Sequence, residues 1–325
     1  MKVTFLNKPK LSEHEVDQDF NERRGKLIPL MEEFLIKHPL FVDKDISVTF
    51  LHAGVSSLVS VIETSEQKLV LKIPLSRLNS RLEGAFLEAW ENVGVKVPHV
   101  LEEGEIGEHF YVLMEYIDSE TISSKYTGKE SLEKNVYHDL GELLRKMHKA
   151  KTEGYSNIVN KKSEPEYFSI TEWLKGDTSM QTQVAYVKEH KLLDDEKHGS
   201  IDDVFKILIS NIGDSKESVY CHNDFGGGNV FATEPLTVFD PWPCFHHPFM
   251  DIARSLIVSS KENIAEVSNQ FLNGYFGDEH YDKNLLHAFL ILNIVVKLPY
   301  MHKTKGIERI KNLQKYLEET KDLLV

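Results

Sequence analysis

The sequence lacks the usual features of secreted and membrane proteins. Only two of its 325 residues are cysteines, Cys221 and Cys244, which is too few for a disulfide scaffold and fits a reducing compartment. No uninterrupted apolar run approaches the length of a membrane span. The N-terminal segment MKVTFLNKPKLSEHEVDQDF contains no apolar signal core. We therefore expect a cytoplasmic protein that does not bind to a membrane.

Positive charge is also scarce. The chain has 38 Lys and Arg residues against 51 Asp and Glu residues, which gives a formal net charge of -13. Because nucleic acids bind to basic surfaces, this balance argues against a nucleic-acid partner. It permits a cationic ligand, but a solvated acidic surface explains the same charge without one.

Metal-ligating residues of the zinc type are sparse as well. Neither cysteine has a second cysteine at zinc-ligand spacing. His246 and His247 follow Cys244 closely, which leaves open either a metal site or a pair of loop histidines. The scarcity of further ligands favours histidines that bind no metal.

The composition is that of a globular protein with more than one compact unit. Hydrophobic residues make up 41% of the chain and charged residues 27%, and 325 residues exceed one hydrophobic core. Residues 1–45 predict a polar, helical N-terminal extension. Residues 46–117 predict an antiparallel sheet with a helix, and residues 118–325 predict mostly helices, including a core helix over 131–150. The predicted fold class is therefore α+β, with two lobes.

Lys72 is the first residue with evident chemistry. It lies in the apolar stretch VLKIP, where a lysine must reach water or pair with an acid. The helix predicted over residues 78–93 offers Glu83 and Glu88 as partners. A loop of small residues, able to place backbone N–H groups and hydroxyls against phosphate, precedes the lysine and contains Gly54, Ser56 and Ser57.

The stretch VYCHNDFGGGNVFATEPLTVFD, residues 219–240, carries the strongest signal. Asp224 and Asn229 flank a run of glycines, which allows the loop to direct both side chains to one point. A predicted hairpin with its turn at 233–235 then returns the chain so that Asp240 lies beside Asn229. Two oxygen-bearing side chains and a nearby carboxylate form a site for a hard cation with a base next to it. Phosphoryl transfer needs both.

These residues resemble the catalytic loop H-x-D-x-x-x-x-N that protein kinases share with the aminoglycoside phosphotransferase superfamily. The loop is HNDFGGGN, and Asp240 matches the metal-binding aspartate that follows it. GELLRKMHK resembles the helix before the loop, and Asp251-Ile252-Ala253 resembles the start of the helix behind it. The resemblance covers residues 46–260. It implies a bilobal protein-kinase-like fold with an antiparallel N-lobe sheet and a mostly helical C-lobe.

The resemblance also implies a role for each matched residue. Asp224 is the base for the acceptor hydroxyl, while Asn229 and Asp240 hold Mg²⁺. Lys72 binds the phosphates of ATP or GTP and is held by Glu83, which the family's spacing favours over Glu88. The nucleotide base is expected to bind to backbone groups of the segment that ends the last predicted strand, which comprises Glu115, Tyr116 and Ile117. Asp251 is expected to be structural.

The acceptor is the least defined part of this expectation. Gly226 stands where the family often has histidine or tryptophan, and the run Asp240-Pro241-Trp242 with Phe245-His246-His247 is similar to fructosamine kinases. The expected partners are a nucleotide triphosphate and a small hydroxyl-bearing acceptor. Alternatives are an aminoglycoside resistance kinase, a fructosamine, sugar or amino-alcohol kinase, and a nucleotide-binding pseudokinase scaffold. Residues expected to line the acceptor site are Trp173, Trp242 and His246.

Overall fold

The computed structural model describes most of the chain and separates it into two compact units. The described residues are 2–14, 17–51, 56–75, 83–156, 164–194, 200–259, 263–304 and 306–324. The first unit comprises Met1–Leu87 and Val97–Asp118, and the second comprises Glu88–Lys96 and Ser119–Val325. The first unit contains a large sheet and the second is mostly helical, so the α+β class predicted from the sequence is confirmed.

One six-stranded sheet forms the centre of the first unit. Its strands are β1 (Val3–Phe5), β2 (Ile46–Phe50), β3 (Ser57–Glu63), β4 (Lys68–Pro74), β5 (Val100–Ile106) and β6 (His109–Glu115). The strands lie in the order β1-β2-β3-β4-β6-β5. All neighbours are antiparallel except β1, which runs parallel to β2. Burial alternates along β2 and β3, as expected for strands with one face on the core.

The N-terminal residues are part of this first unit. Helix α1 (Gln18–Lys37) buries Leu27, Met31 and Leu35, whose spacing places them on one helix face. These side chains share a hydrophobic cluster with residues of the sheet. The helix ends just before Pro39, as the sequence indicates. The sequence predicts only a helical extension for residues 1–45, so strand β1 is an addition that the structure supplies.

Helices make up most of the second unit, and α2 (Glu83–Asn92) links it to the first. They are α3 (Ile122–Lys125), α4 (Gly128–Glu133), α5 (Val136–Met147), α6 (Ile170–Gly176), α7 (Thr178–Glu189), α8 (Ile201–Ile212), α9 (Pro248–Ser259), α10 (Ile264–Phe276), α11 (Lys283–Thr304) and α12 (Gly306–Leu324). The single helix predicted over 131–150 is wrong. Asn135 adopts a left-handed conformation with φ 54° and separates α4 from α5.

Helix α11 is long and apolar enough to cross a membrane by length and composition alone. However, 67% of its most apolar window is buried inside the fold. Asn293 in its middle is fully buried and donates through Nδ2 to Met250 O at 3.1 Å. These contacts are those of a core helix, which is apolar all round because protein surrounds it.

Short strands of the second unit hold the stretch that the sequence singles out. β7 (Lys151–Glu153), β8 (Glu217–Cys221) and β11 (Cys244–His246) form a sheet in the order β11-β8-β7. β9 (Val230–Phe231) pairs antiparallel with β10 (Thr237–Val238). The loop from His222 to Asn229 therefore begins where β8 ends and leads directly into the hairpin.

Candidate active site

Lys72 forms a buried ion pair with Glu83. The lysine lies on β4 between Val59 of β3 and Val112 of β6 in the sheet register. Its Nζ donates to Glu83 Oε2, and the two side chains are only 7% and 4% exposed. A charge this deeply buried requires a partner of opposite sign. Glu88, the other acid considered from the sequence, is exposed.

The Lys72–Glu83 pair makes a testable contribution to stability. We expect Glu83→Gln to lower the free energy of unfolding by about 3 kcal/mol, because it removes the carboxylate charge that pairs with the buried Lys72 ammonium. Glu88→Gln, on the exposed side of the same helix, is the matched control and is expected to cost less than about 0.5 kcal/mol. Urea unfolding measures both. Equal losses in the two variants contradict the assignment of Glu83.

Two further segments of the first unit were expected to bind the nucleotide. Ser57 begins β3, and Ser56 accepts a hydrogen bond from Leu75 N at 2.8 Å through its backbone oxygen. Gly54 lies outside the described residues. Glu115 N donates to His99 O at 2.9 Å. No described residue forms a hydrogen bond with the backbone groups of Tyr116 or Ile117, which directly follow strand β6.

In the second unit, Asn229 is fastened to the backbone of Asp224. Its Nδ2 donates to Asp224 O at 2.8 Å and more weakly to Asp224 Oδ2 at 3.3 Å. Using the amide nitrogen in this way leaves Asn229 Oδ1 as the atom available to a cation. The Asp224 side chain is exposed, as a base that meets a substrate must be.

The hairpin brings Asp240 next to this pair. Phe239 N donates to Asn229 O at 3.1 Å, and the rings of Phe231 and Phe239 stack with centroids 4.1 Å apart. Asp240 follows immediately, is exposed, and adopts a left-handed backbone with φ 57°. Asp224, Asn229 and Asp240 therefore lie at one end of the same hairpin, the arrangement that the turn at 233–235 predicts.

Two of the three loop glycines, Gly226 and Gly227, pack closely against neighbouring side chains, whereas a Cβ at Gly228 would meet nothing within 4 Å. A Cβ at Gly226 would lie 2.9 Å from Val258 Cγ1, and a Cβ at Gly227 would lie 2.8 Å from Ser123 Oγ. The left-handed conformations of the loop and hairpin occur at Asn223 and Asp240 instead. The freedom expected of the glycines is thus supplied by Asn and Asp, which tolerate this backbone region better than most residues.

Asp251 anchors the start of the loop. Its carboxylate is fully buried and accepts hydrogen bonds from the backbone N–H groups of His222, at 2.6 Å, and Asn223. His148 Nε2 donates to the same carboxylate at 3.2 Å, and Tyr275 O–H donates to His148 Nδ1 at 2.7 Å. Burial raises the pKa of Tyr275, which keeps its hydroxyl protonated as the donor.

His222 stabilises the loop through hydrogen bonds at both ring nitrogens. It is fully buried, its Nε2 donates to Phe239 O at 2.9 Å, and its Nδ1 accepts from Asp224 N at 3.3 Å. These bonds require the neutral Nε2–H tautomer. Trp90 stacks on the imidazole with centroids 5.5 Å apart and donates through Nε1 to Tyr220 O. His222 therefore connects β8, the loop and the hairpin.

Of the three residues expected to line the acceptor site, one is exposed beside the loop and two are buried in the core. Trp242 is 44% exposed, and its backbone N–H donates to His222 O at 2.8 Å, so it lies beside the loop. Trp173 and His246 are fully buried with ring centroids 4.4 Å apart, and Tyr155 packs edge-on against the histidine. Burial lowers the pKa of His246 to about 3, so this imidazole is a neutral core residue at neutral pH.

Sequence analysis missed several residues around the loop. His148 and Tyr275 support Asp251 through hydrogen bonds. Arg254 lies on helix α9, and the negative charge of Asp224 acts to raise its pKa. A signal existed for His148, which belongs to the GELLRKMHK segment. For Arg254 the sequence contains no comparable signal, because its environment depends on how α9 packs.

Comparison with solved structures finds proteins of the same architecture. A thermostable mutant of aminoglycoside phosphotransferase APH(4)-Ia, solved with ADP and hygromycin B, is 15% identical with a TM-score of 0.63, covering 90% of this chain and 97% of that chain. A putative fructosamine-3-kinase from Haemophilus somnus is 16% identical with a TM-score of 0.59, covering 89% and 96%. One from Thermobifida fusca is 15% identical with a TM-score of 0.56, covering 85% and 93%.

At these identities the likeness shows the fold alone, which is the bilobal kinase-like fold of small-molecule phosphotransferases. The sequence itself defines the family. A model of the phosphotransferase enzyme family matches residues 47–284, which is most of the chain. The chain therefore belongs to the phosphotransferase enzyme family, and the resemblance noted from its motifs is confirmed. No curated protein matches it in a sequence search.

Proposed function

We propose that this protein transfers the γ-phosphate of ATP or GTP to a hydroxyl group of a small molecule. The single observation that carries the proposal is the fastening of Asn229 to Asp224, with Asp240 delivered beside them by the hairpin. This arrangement provides a base and two oxygen ligands in one place. Family membership supports the reaction class, and the nucleotides in the similar structures support the co-substrate.

The donor set around the loop fits Mg²⁺. Asn229 offers an amide oxygen whose direction is fixed by its Nδ2 hydrogen bond, and Asp240 offers an exposed carboxylate. Mg²⁺ prefers oxygen ligands and is commonly held by one or two carboxylate or amide side chains together with phosphates. When bound, the ion neutralises charge on the phosphate groups.

Asp224 acts on the acceptor. Its exposed carboxylate orients the attacking hydroxyl and accepts its proton as the new O–P bond forms and the bond between the β- and γ-phosphates breaks. Asn229 holds the Asp224 backbone, and Asp251 holds the two residues before it, so the base is positioned before substrate arrives.

The first unit supplies the nucleotide contacts in this proposal. Lys72, oriented by Glu83, binds the α- and β-phosphates, and the loop containing Gly54, Ser56 and Ser57 covers them. The backbone groups of Glu115, Tyr116 and Ile117 bind the base. This division follows the resemblance to kinases, and the buried Lys72–Glu83 pair supports it, because a fixed ammonium is what a polyphosphate needs.

The acceptor candidates fall into chemical classes that a panel separates. An aminoglycoside suits the net charge of -13, a fructosamine suits the similarity of the run from Asp240 to His247 to fructosamine kinases, and sugars and amino alcohols complete the panel. We propose exposed Trp242 as a lining residue. A pseudokinase scaffold is disfavoured because Lys72, Asp224, Asn229 and Asp240 are all present. Phosphate transfer to each class distinguishes these functions, and a scaffold transfers to none.

Asp240 provides the test of the metal and nucleotide roles. We expect Asp240→Asn to weaken Mg²⁺-dependent nucleotide binding at least about tenfold, because a charged ligand is lost while Asn keeps the left-handed backbone. The matched control is Asp43→Asn, since Asp43 is also exposed and left-handed with φ 62°. Calorimetric titration with AMP-PNP measures both. Unchanged binding by Asp240→Asn contradicts the assignment.

A further inference from the structure

Helix α9 faces the catalytic loop along one side. Asp251 bonds to the backbone at His222 and Asn223, and Val258 lies 2.9 Å from the position of a Cβ at Gly226. These two helix residues are two turns apart, and Arg254 lies between them on the same side. Because Gly226 has no side chain, helix α9 packs closely against the catalytic loop, and this packing also places Arg254 near the loop.

The guanidinium of Arg254 has one buried donor without a partner among the described residues. Its Nε is buried, and no described residue accepts a hydrogen bond from it. A buried donor without a partner is unfavourable in the folded protein, so its presence calls for a reason. A guanidinium offers a planar fork of N–H groups that matches a carboxylate or a phosphate.

The electrostatic neighbours of Arg254 agree with its place on the helix face that packs against the catalytic loop. Burial lowers the pKa of Arg254, and the carboxylate of Asp224 opposes this effect more than Cys244 or Asp251 does. An arginine with a pKa lowered from such a high ordinary value remains charged at neutral pH.

We propose that Arg254 binds an anionic group of the acceptor, a carboxylate or a phosphate located near the hydroxyl that is phosphorylated. The proposal rests on the phosphotransferase function proposed above and narrows its substrate class. An acceptor with such a group presents its hydroxyl to Asp224 and its anion to the guanidinium of Arg254. Bidentate binding fixes the orientation of the acceptor, which is the main contribution that positioning makes to such reactions. A polycationic acceptor gains nothing from this arginine.

Matched pairs of small molecules test the proposal. Glycerate is compared with glycerol, and gluconate with sorbitol, by calorimetric titration in the presence of Mg²⁺ and AMP-PNP. We expect the wild-type protein to bind each acid at least about tenfold more tightly than its neutral partner, the usual gain from a hydrogen bond to a charged group. Arg254→Met, which keeps the aliphatic stem, is expected to bind both members equally. Arg254→Lys is expected to keep part of the preference.

Arg145→Met is the matched control, since Arg145 lies on helix α5 of the same unit, is exposed and is paired with Glu279. It is expected to retain the full preference. Equal or undetectable binding of acid and neutral partner by the wild-type protein overturns the proposal, even if an Arg254 variant fails to fold. A preference that survives in Arg254→Met overturns it too. If Arg254→Met loses affinity for AMP-PNP but not for ADP, Arg254 binds the transferred phosphate and the proposal is overturned.

The same titrations separate this proposal from the function on which it rests. ADP and AMP-PNP are titrated alone, and the acids are titrated with and without nucleotide. Nucleotide binding without any preference for the acids overturns the role of Arg254 and leaves the phosphotransferase function supported. A preference for the acids without nucleotide binding supports the anion site and contradicts the phosphotransferase function.

Discussion

Asp224→Asn is expected to lower the rate of phosphoryl transfer by about a thousandfold or more, while the affinity for nucleotide changes little. A positioned general base contributes about a hundredfold to ten-thousandfold in rate, and here the same carboxylate also orients the acceptor. The amide oxygen of Asn is able to keep the weak contact with Asn229 Nδ2, so the loop retains its shape. The loss is therefore expected in kcat.

The measurement compares the transfer rate and the AMP-PNP affinity of the variant with those of the wild-type protein. Asp214→Asn is the matched control, because Asp214 is an exposed aspartate of the same unit that precedes β8. It is expected to leave both quantities unchanged. Turnover by Asp224→Asn at the wild-type rate contradicts the role of Asp224, and a loss confined to nucleotide affinity reassigns it to nucleotide binding.

Asp251→Ala is expected to have the largest effect on stability. Removing this fully buried carboxylate leaves the N–H groups of His222 and Asn223 and the ring of His148 without their acceptor. Each unsatisfied buried donor costs about 1–3 kcal/mol, which gives a total of about 3–5 kcal/mol when partial relaxation is allowed for. Transfer activity falls as well, because the loop that carries Asp224 loses its anchor.

Ser255→Ala provides a control on the same helix. Ser255 is also fully buried, but its hydroxyl donates only to Asp251 O at 2.8 Å, a carbonyl within the helix. Its loss is expected to cost about 1 kcal/mol or less and to spare activity. Thermal and urea unfolding measure both variants. If Asp251→Ala is no less stable than Ser255→Ala, the carboxylate does not hold the loop.

The features predicted well from the sequence depend on residues that are close along the chain. The turn at 233–235 lies between two short apolar runs, and the observed pairing of Val230–Phe231 with Thr237–Val238 follows from that local pattern. Because this hairpin is local, the convergence of Asn229 and Asp240 is predictable too. The strands of residues 46–74 are similarly readable, since their alternation reflects one buried face.

The features that were missed depend on distant residues or on a single backbone angle. Strand β1 pairs Val3 with Ile46, and nothing local marks a residue for a partner so far along the chain. The apolar spacing over 131–150 continues through Asn135, so it does not reveal that this residue turns left-handed and ends a helix. The spacing of apolar residues indicates which face of a helix is buried, but it does not indicate every position at which a helix ends.

The surroundings of the candidate site show the same limit. Lys72 calls for a partner wherever it is buried, and Glu83 was available nearby in sequence. Tyr275 of α10 is connected to Asp251 of α9 through His148, which directly follows α5. Arg254 has its environment only because α9 packs against Gly226, a contact that no spacing in the sequence encodes. The roles of all these residues in catalysis stay predictions.

The central claim is that the chain moves a γ-phosphate onto a small-molecule hydroxyl, and one assay measures this directly. The protein is incubated with Mg²⁺ and γ-labelled ATP or GTP, together with aminoglycosides, fructosamines, sugars, amino alcohols and sugar acids in turn. The prediction is that label appears covalently on the hydroxyl of at least one acceptor and is absent when Asp224→Asn replaces the wild-type protein. Nucleotide binding without transfer to any of these classes contradicts the claim and supports a nucleotide-binding scaffold.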